Sequence, residues 1–335
     1  MKVGLFSPYL MTMGGGERYF LTVAEFFLKR GDQVDIFWRE NVSQFIKNRF
    51  GISLEKASFK SKFSTFGYDL IFFVSDGSLL LSFAKKTIIH FQVPFTNVSL
   101  SFLDKIKLLN STVVCNSKFT KGFIDNTYNV NSVVLYPPVD VESFNPGKKE
   151  NIILGVGRFF APLHPKKQEI LVNEFLKLNL TGWELVLIGG VTGKESQKSV
   201  GNLKKKVAGS KIRILTDLDF SYLINYYAKA KIFWHAAGFG EDLENHPEKA
   251  EHFGMTTVEA MAAGAVPVVF AGGGQPEIVT DGENGLLWDS SRQLAAVTNR
   301  LISDPVLLKR LSQNAVQRST KFSKQRFFDE MEALL

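Results

Sequence analysis

Two glutamates eight positions apart, Glu251 and Glu259, flank a Phe-Gly turn and the start of an Ala-rich helix. The first amides of a helix lack internal partners and sit at the positive end of its dipole, so a helix start collects anions. Ionised carboxylates beside it are strong acceptors for hydroxyl groups. The combination predicts a site for a molecule that carries both phosphates and sugar hydroxyls, which is the composition of a sugar nucleotide.

The residues between the two glutamates supply the phosphate-facing part of the predicted site. Backbone N–H groups of Gly254, Met255 and Thr256 are expected to face the distal phosphate or the sugar. An ordinary helix start, with Thr256 or Thr257 as the cap, is the alternative and is compatible with this role.

Several short segments occur in an order that resembles one family. The block from Glu251 to Glu259 resembles the E-x7-E signature of retaining glycosyltransferases with the GT-B fold, a family that includes sucrose synthases and bacterial mannosyl- and glucosyltransferases. The resemblance runs from residue 1 to about residue 311. The other matching pieces are residues 14–16, His90, residues 115–117, residues 136–140, Phe144, residues 157–158 and Lys166.

The resemblance implies roles for individual residues. Glu259 would hold the ribose hydroxyls of the nucleotide, and Glu251 would bind hydroxyls of the transferred sugar. Phe253 would lie in the nucleotide-sugar site. For an isolated pair of glutamates, dipole pairing and simple solvation would be the alternative.

Two cations follow the first strand of the second half. The resemblance implies that Arg158 and Lys166 bind the diphosphate of the donor. Cations held in place beside a group that gains negative charge in the transition state often account for much of the rate enhancement. The gap between them is longer than usual in the family, so Lys167 competes with Lys166 for this role. A solvated lysine pair is the other interpretation.

A glycine run near residue 15 and a histidine at residue 90 are the N-terminal candidates. Gly15 and Gly16 could bring backbone N–H groups close to a phosphate, although Glu17 rather than lysine follows and a plain tight turn fits as well. His90 is predicted to end a strand, and the resemblance makes it a contact of the transferred sugar. A structural histidine is the alternative.

No metal ion and no cofactor besides the donor substrate is expected. Asp217 and Asp219 look like a metal-binding pair, but Asp217 is better explained as the N-cap of a helix. His246 and His252 have no ligand spacing that matches a metal site.

Apolar runs and amphipathic stretches alternate along the chain, which predicts an α/β protein of the GT-B type, with two doubly wound Rossmann-like domains facing a central cleft. The expected domains are 1–146 on the acceptor side and 147–315 for the nucleotide sugar, with 316–335 as a helix that packs back on the first domain. The predicted strands are residues 2–7, 33–38, 70–74, 87–91, 112–116, 132–136, 152–156, 184–189, 212–215, 232–235 and 266–270. The predicted helices are residues 17–29, 167–177, 222–229 and 256–263 and a helical tail over 291–335.

Composition narrows the class of protein. The 335 residues, 45% hydrophobic and 22% charged, are typical of a globular chain with room for two cores. The net charge of +7 favours anionic partners, but no nucleic-acid motif accompanies it. The chain has one cysteine and no pattern of a signal peptide. The apolar stretch over 70–89 is interrupted by charges and is interpreted as strand, helix and strand. Together these features predict a cytoplasmic protein. The 30 phenylalanines fit a core, or in part a peripheral membrane surface.

The sequence therefore predicts a retaining, metal-independent glycosyltransferase that moves a hexose from a GDP-mannose or UDP-glucose type of donor to a glycan or lipid-linked acceptor. A sugar phosphorylase or nucleotide-sugar epimerase of the same fold is one alternative. A non-catalytic nucleotide-sugar-binding partner subunit is the other.

Overall fold

A computed structural model describes residues 1–11, 14–159 and 166–335. The chain forms two compact units. The N-terminal unit comprises Met1–Pro138 together with Phe327–Leu335, and the C-terminal unit comprises Val139–Arg326.

Strands and helices alternate through most of both units. The strands are β1 (Lys2–Phe6), β2 (Gln33–Phe37), β3 (Ser58–Lys60), β4 (Leu70–Val74), β5 (Lys86–Phe91), β6 (Thr112–Cys115), β7 (Val133–Val134), β8 (Glu150–Val156), β9 (Glu184–Gly189), β10 (Ile212–Thr216), β11 (Ala230–His235), β12 (Val266–Phe270) and β13 (Leu286–Trp288). The helices are α1 (Gly15–Arg30), α2 (Ser43–Phe50), α3 (Phe102–Leu109), α4 (Lys118–Tyr128), α5 (Gln168–Leu178), α6 (Gly193–Lys206), α7 (Phe220–Lys229), α8 (Met255–Ala262), α9 (Gln275–Ile278), α10 (Ser291–Ser303), α11 (Pro305–Ser319) and α12 (Lys324–Ala333).

Each unit is built on one parallel sheet. The sheet of the N-terminal unit has the strand order β3-β2-β1-β4-β5-β6-β7, and that of the C-terminal unit has β10-β9-β8-β11-β12-β13. All of these pairings are parallel. Central strands such as β4 and β9 are apolar runs because a parallel sheet covered by helices buries both of its faces. The predicted pair of doubly wound α/β domains is confirmed.

From Phe327 onward, the last helix, α12, belongs to the N-terminal unit. Phe327 and Met331 are fully buried, and the Phe327 ring meets the Tyr19 ring edge-on with centroids 5.0 Å apart. Arg30 at the end of α1 forms an ion pair with Glu332 at 3.1 Å. The aromatic contact and the buried apolar side chains fix α12 against α1.

The helix predicted between β4 and β5 is wrong. Residues 75–85 have no regular secondary structure, because side chains near the start bond the backbone that follows. The amide of Gly77 donates to Ser75 Oγ at 3.0 Å, and the amide of Ser78 donates to Asp76 Oδ1 at 3.1 Å. Such local bonds compete with the helical ones. Among the described residues, no helix has both the length and the apolar character needed to cross a membrane.

Candidate functional site

The start of α8 has an unusual cap. Gly254 precedes the helix with a φ of 116°, and no side chain caps it, so the alternative with Thr256 or Thr257 as the cap is wrong. The backbone angle favours glycine, and a Cβ at Gly254 would also press on Gln275 Nε2, 2.6 Å away. The amide of Thr257 bonds the Gly254 carbonyl, while the amides of Met255 and Thr256 have no acceptor among the described residues. These two N–H groups are therefore open to an anion.

Glu251 forms the centre of a charged cluster beside this helix. Its Oε2 accepts from Lys166 Nζ at 2.6 Å and from His235 Nε2 at 2.8 Å. Both protein donors use the same oxygen, and the side chain keeps 15% of its surface exposed. Within the described part of the chain, Oε1 has no partner, so it is the oxygen available to a ligand hydroxyl.

Burial raises the pKa of Glu251, but the Lys166 charge and the hydrogen bonds from His235 and Lys166 outweigh it and hold that pKa well below its usual range. The group is therefore a carboxylate at neutral pH. A carboxylate can accept two hydroxyl bonds from a sugar, as the sequence-based hypothesis requires.

Gln275 forms a further layer behind this cluster. It is fully buried at the start of α9, and its Nε2 lies 3.4 Å from His235 Nδ1. Since the Glu251 carboxylate can only accept, His235 donates to it from Nε2, and the Gln275 amide lies beside Nδ1. Gln275 thus packs against the side of the His235 ring that faces away from Glu251.

Glu259 lies on the second turn of α8 and is nearly buried. Its Oε2 accepts the hydroxyl hydrogen of Tyr227, which lies on α7, at 2.9 Å. Tyr227 is itself fully buried, with the Phe144 ring perpendicular to it at 5.3 Å. Glu259, like Glu251, is therefore held in place by a side chain from another element, here the tyrosine of α7.

The glycines after β12 let two loops approach each other. A Cβ at Gly273 would lie 2.2 Å from the Glu251 carbonyl oxygen, and one at Gly274 would lie 2.5 Å from the His252 oxygen. The Gly274 amide donates to the Glu251 carbonyl at 2.7 Å. Only residues without a side chain allow this contact, which fixes the backbone of Glu251.

The predicted cations differ in their exposure and in their side-chain partners. The Arg158 side chain is exposed and has no partner among the described residues, so its guanidinium is available to an anion. Lys166 is paired with Glu251. Lys167 is paired instead with Glu241, which also binds Lys249 at 2.9 Å. Gly157 makes room for Lys166, since a Cβ there would lie 2.9 Å from Lys166 Cγ.

In the N-terminal unit, the glycine run forms the start of α1. Gly14 is the N-cap residue, and its amide donates to Glu17 Oε2 at 2.6 Å. Gly15 and Gly16 lie in the first turn, where a Cβ at Gly16 would lie 2.1 Å from Gln92 Oε1. The run is therefore a helix start packed closely against Gln92, and its sequence neighbours 12–13 lie outside the described residues.

His90 does not have the exposure that a sugar contact needs. It lies within β5 and is fully buried, with its ring stacked on Tyr19 at a centroid distance of 4.1 Å. Burial lowers its pKa to about 3, so the ring is neutral. Strand alternation turns His90 towards α1 and Phe91 to the other face, and this places His90 in the core of the unit.

The interpretation of Asp217 as a helix cap is wrong. Asp217 has a φ of 54°, and its Oδ1 accepts the Val191 amide at 3.0 Å. The helix begins later, at Phe220, with Asp219 as its N-cap residue and no side-chain cap bond. Asp217 therefore ties the turn after β10 to the turn after β9. Over residues 1–11, 14–159 and 166–335, no cluster of three or more metal-ligating side chains occurs.

Sequence signals were uneven for the residues that support the two glutamates. His235 could be placed at the end of a strand, but its partner Glu251 lies 16 positions away. Tyr227 carried no motif, because it acts through a contact with Glu259, which is distant in sequence.

Comparison with known proteins places these features in a family. The sequence pattern of the family "Glycosyl transferases group 1" matches residues 139–318, close to the bounds of the C-terminal unit. Among curated proteins, the chain is 28% identical over 246 residues to GDP-Man:Man(3)GlcNAc(2)-PP-Dol alpha-1,2-mannosyltransferase of Xenopus tropicalis, covering 65% of this chain and 46% of the relative. It is 29% identical to an uncharacterised glycosyltransferase of Methanocaldococcus jannaschii, covering 63% of this chain and 55% of the relative. The chain thus spans about half the length of these curated relatives.

Solved structures agree on the fold. A glycosyltransferase from Rickettsia africae superposes with a TM-score of 0.78 at 17% identity, covering 99% of this chain and 96% of that one. HepE of Anabaena in complex with UDP superposes with a TM-score of 0.75 at 17% identity, covering 100% and 99%. These likenesses confirm the predicted GT-B fold. Since the family pattern matches more than half of the chain, this protein belongs to the glycosyl transferases group 1.

Proposed function

We propose that this chain transfers a hexose from a nucleotide diphosphate sugar to a hydroxyl group, with retention of the anomeric configuration and without a metal ion. The observation that carries the proposal is the geometry at the start of α8. There, within the part of the chain that the structure describes, two amides without an acceptor precede the helix body, and the nearby ionised Glu251 keeps Oε1 without a partner. Phosphate suits the amides and a sugar hydroxyl suits the carboxylate.

The other predicted site residues fit the same assignment, in which separate groups bind the phosphates and the sugar hydroxyls. Glu259, fixed by Tyr227, would accept the ribose hydroxyls. Arg158 and Lys166 would offset the diphosphate charge, with Arg158 exposed and unpaired for that purpose among the described residues. No metal ion is needed if these cations and the end of α8 neutralise the leaving group.

The proposed reaction exchanges one bond for another at the anomeric carbon. The bond from that carbon to the distal phosphate oxygen breaks, and a bond to the acceptor oxygen forms on the same face. The acceptor hydroxyl proton passes to the departing phosphate oxygen, so no protein base is required. Glu251 would bind hydroxyls of the transferred sugar rather than form a covalent intermediate.

The names of relatives support a choice of substrates. The Xenopus tropicalis relative is named for GDP-mannose and a diphosphodolichol-linked glycan, and the Anabaena HepE structure contains UDP. We therefore propose a GDP-mannose or UDP-glucose type of donor and a glycan or lipid-linked acceptor.

A lipid-linked acceptor would be reached at a membrane surface, and the N-terminal unit has apolar side chains for peripheral contact. On α3, Phe102 is 77% and Leu109 is 83% exposed, and no residue of this helix is buried. Lys105 adds an exposed positive charge on the same short helix. Apolar and basic side chains together suit an anionic lipid surface.

The central experiment is a transfer assay preceded by a thermal-shift screen with GDP-mannose, UDP-glucose and other nucleotide sugars. A ligand that binds the native state raises the melting temperature. We expect transfer to continue in excess chelator, the product to keep the donor's anomeric configuration by NMR, and Glu259→Gln to lose donor binding. Transfer that requires added metal, or an inverted product, would contradict the proposal.

The same assay separates the alternatives. Cleavage of a glycan by free phosphate would indicate a phosphorylase, and conversion of one nucleotide sugar into another would indicate an epimerase. Binding without any turnover would indicate a non-catalytic subunit.

Sedimentation with vesicles that contain an anionic lipid tests the membrane contact. We expect Phe102→Ser to weaken this sedimentation, and neutral vesicles are the control.

A further inference from the structure

His235 holds Glu251 from inside the C-terminal unit. Its side chain is only 3% exposed, and its Nε2 lies 2.8 Å from Glu251 Oε2. Lys166 reaches the same oxygen from the partly exposed side, with its own side chain 20% exposed. One donor is therefore built into the core, while the other lies where a ligand phosphate could attract it.

Three contacts fix the orientation of the Glu251 carboxylate. His235 and Lys166 both occupy Oε2, and Gly274 anchors the backbone carbonyl of Glu251. With Oε2 directed at these donors, Oε1 is the oxygen left for a ligand. Removing the buried donor would let the carboxylate rotate and leave Lys166 as its single side-chain partner.

We propose that His235 is a positioning residue, not a catalytic one, and that it acts on recognition of the transferred sugar through Glu251. The inference rests on the proposed function, in which Glu251 Oε1 accepts a sugar hydroxyl. The His235 ring keeps Oε1 in place and continues to donate a hydrogen bond to Glu251 when Lys166 turns to the diphosphate. Its effect is therefore confined to the sugar part of the donor.

A matched pair of variants tests this role. His235→Gln keeps an N–H donor at a similar distance from the backbone, whereas His235→Met has a similar size and no donor. The exposed His246 of the same unit, 55% exposed, provides the control His246→Met. Thermal melting of each variant checks that the fold is intact.

The measurement compares two probes, a nucleotide sugar and the corresponding nucleoside diphosphate without sugar. We expect His235→Met to weaken nucleotide-sugar binding on the order of ten- to a hundredfold, the size expected for a lost hydrogen bond to a charged group. Binding of the nucleoside diphosphate should stay within about twofold. His235→Gln should recover most of the loss.

Either of two results would overturn the proposal. One is an equal loss for both probes, which would mean a general structural role. The other is indistinguishable behaviour of the Gln and Met variants. Because the probes are read by binding, a wild-type protein that binds but does not transfer would contradict the proposed function while the test of His235 stays decisive.

Discussion

Tyr227 donates its hydroxyl hydrogen to Glu259 Oε2 over 2.9 Å, between two neighbouring helices. The tyrosine is fully buried, and its ring lies perpendicular to that of Phe144, with centroids 5.3 Å apart. Glu259 Oε2 is therefore held from a neighbouring helix. A buried polar contact of this kind orients a carboxylate as well as stabilising the fold.

The first prediction concerns this contact. Tyr227→Phe keeps the ring packing and removes the donor, so we expect about tenfold weaker binding of a nucleoside diphosphate, measured by titration calorimetry. Tyr222→Phe, on the same helix and 62% exposed, is the control and should bind as the wild type does. Unchanged affinity in Tyr227→Phe would show that Glu259 needs no such support.

The two adjacent lysines should have unequal effects. Lys166 shares Glu251 with His235, whereas Lys167 pairs with Glu241, which keeps Lys249 if Lys167 is removed. We expect Lys166→Met to lower kcat on the order of a hundredfold, as for loss of a group that stabilises developing charge. Lys167→Met should stay within about threefold. Steady-state kinetics with the same donor measures both kcat values. A larger loss of kcat in Lys167→Met than in Lys166→Met would contradict this prediction.

The close approach of Gly273 to Glu251 predicts a specific cost. Both Gly273 and Gly282 have a positive φ, 64° and 73°, so alanine at either site costs about 1–2 kcal/mol for the backbone angle. Only at Gly273 would the new Cβ also meet a backbone oxygen, at 2.2 Å. We expect Gly273→Ala to lower the free energy of unfolding by a further 1–3 kcal/mol or so, measured by urea denaturation. Equal losses at the two sites would mean that the Glu251 loop shifts freely.

The buried His90 predicts a pH dependence of stability. Its pKa is about 3 in the folded state, against the ordinary value of 6.5 expected for the unfolded chain, so between these values the unfolded chain binds the proton and the folded chain does not. The proton bound by the unfolded chain stabilises that state, so His90 does not lower the free energy of unfolding above pH 6.5. As the pH falls from there towards 3, the free energy of unfolding decreases by about 1.4 kcal/mol per pH unit. Denaturation of His90→Leu over this range should show a shallower slope than that of the wild type. An unchanged slope together with lost transfer would favour the sugar contact predicted from the sequence.

The strands were the most predictable part of the fold. β4, β9 and β12 begin and end at the predicted residues, because strands buried on both faces are continuous apolar runs. The helix α6 was not predicted, since its sequence is dominated by lysine and small polar residues and shows only Ser196 and Val200 buried. Val200, with Leu203 partly buried beside it, packs into the core of the C-terminal unit, and this short apolar contact sustains the helix.

The sequence by itself determined the alternation of elements, the two parallel sheets and the position of Glu251 and Glu259 around one helix start, because these depend on residues close together along the chain. Only the tertiary structure decided that Lys166 meets Glu251, that Tyr227 supports Glu259 and that His90 is buried. Lys166 and Glu251 are 85 positions apart, and Tyr227 and Glu259 are 32 apart. Such pairs form when separate strands and helices pack on one sheet, and no local pattern of residue types specifies which distant side chains will then touch.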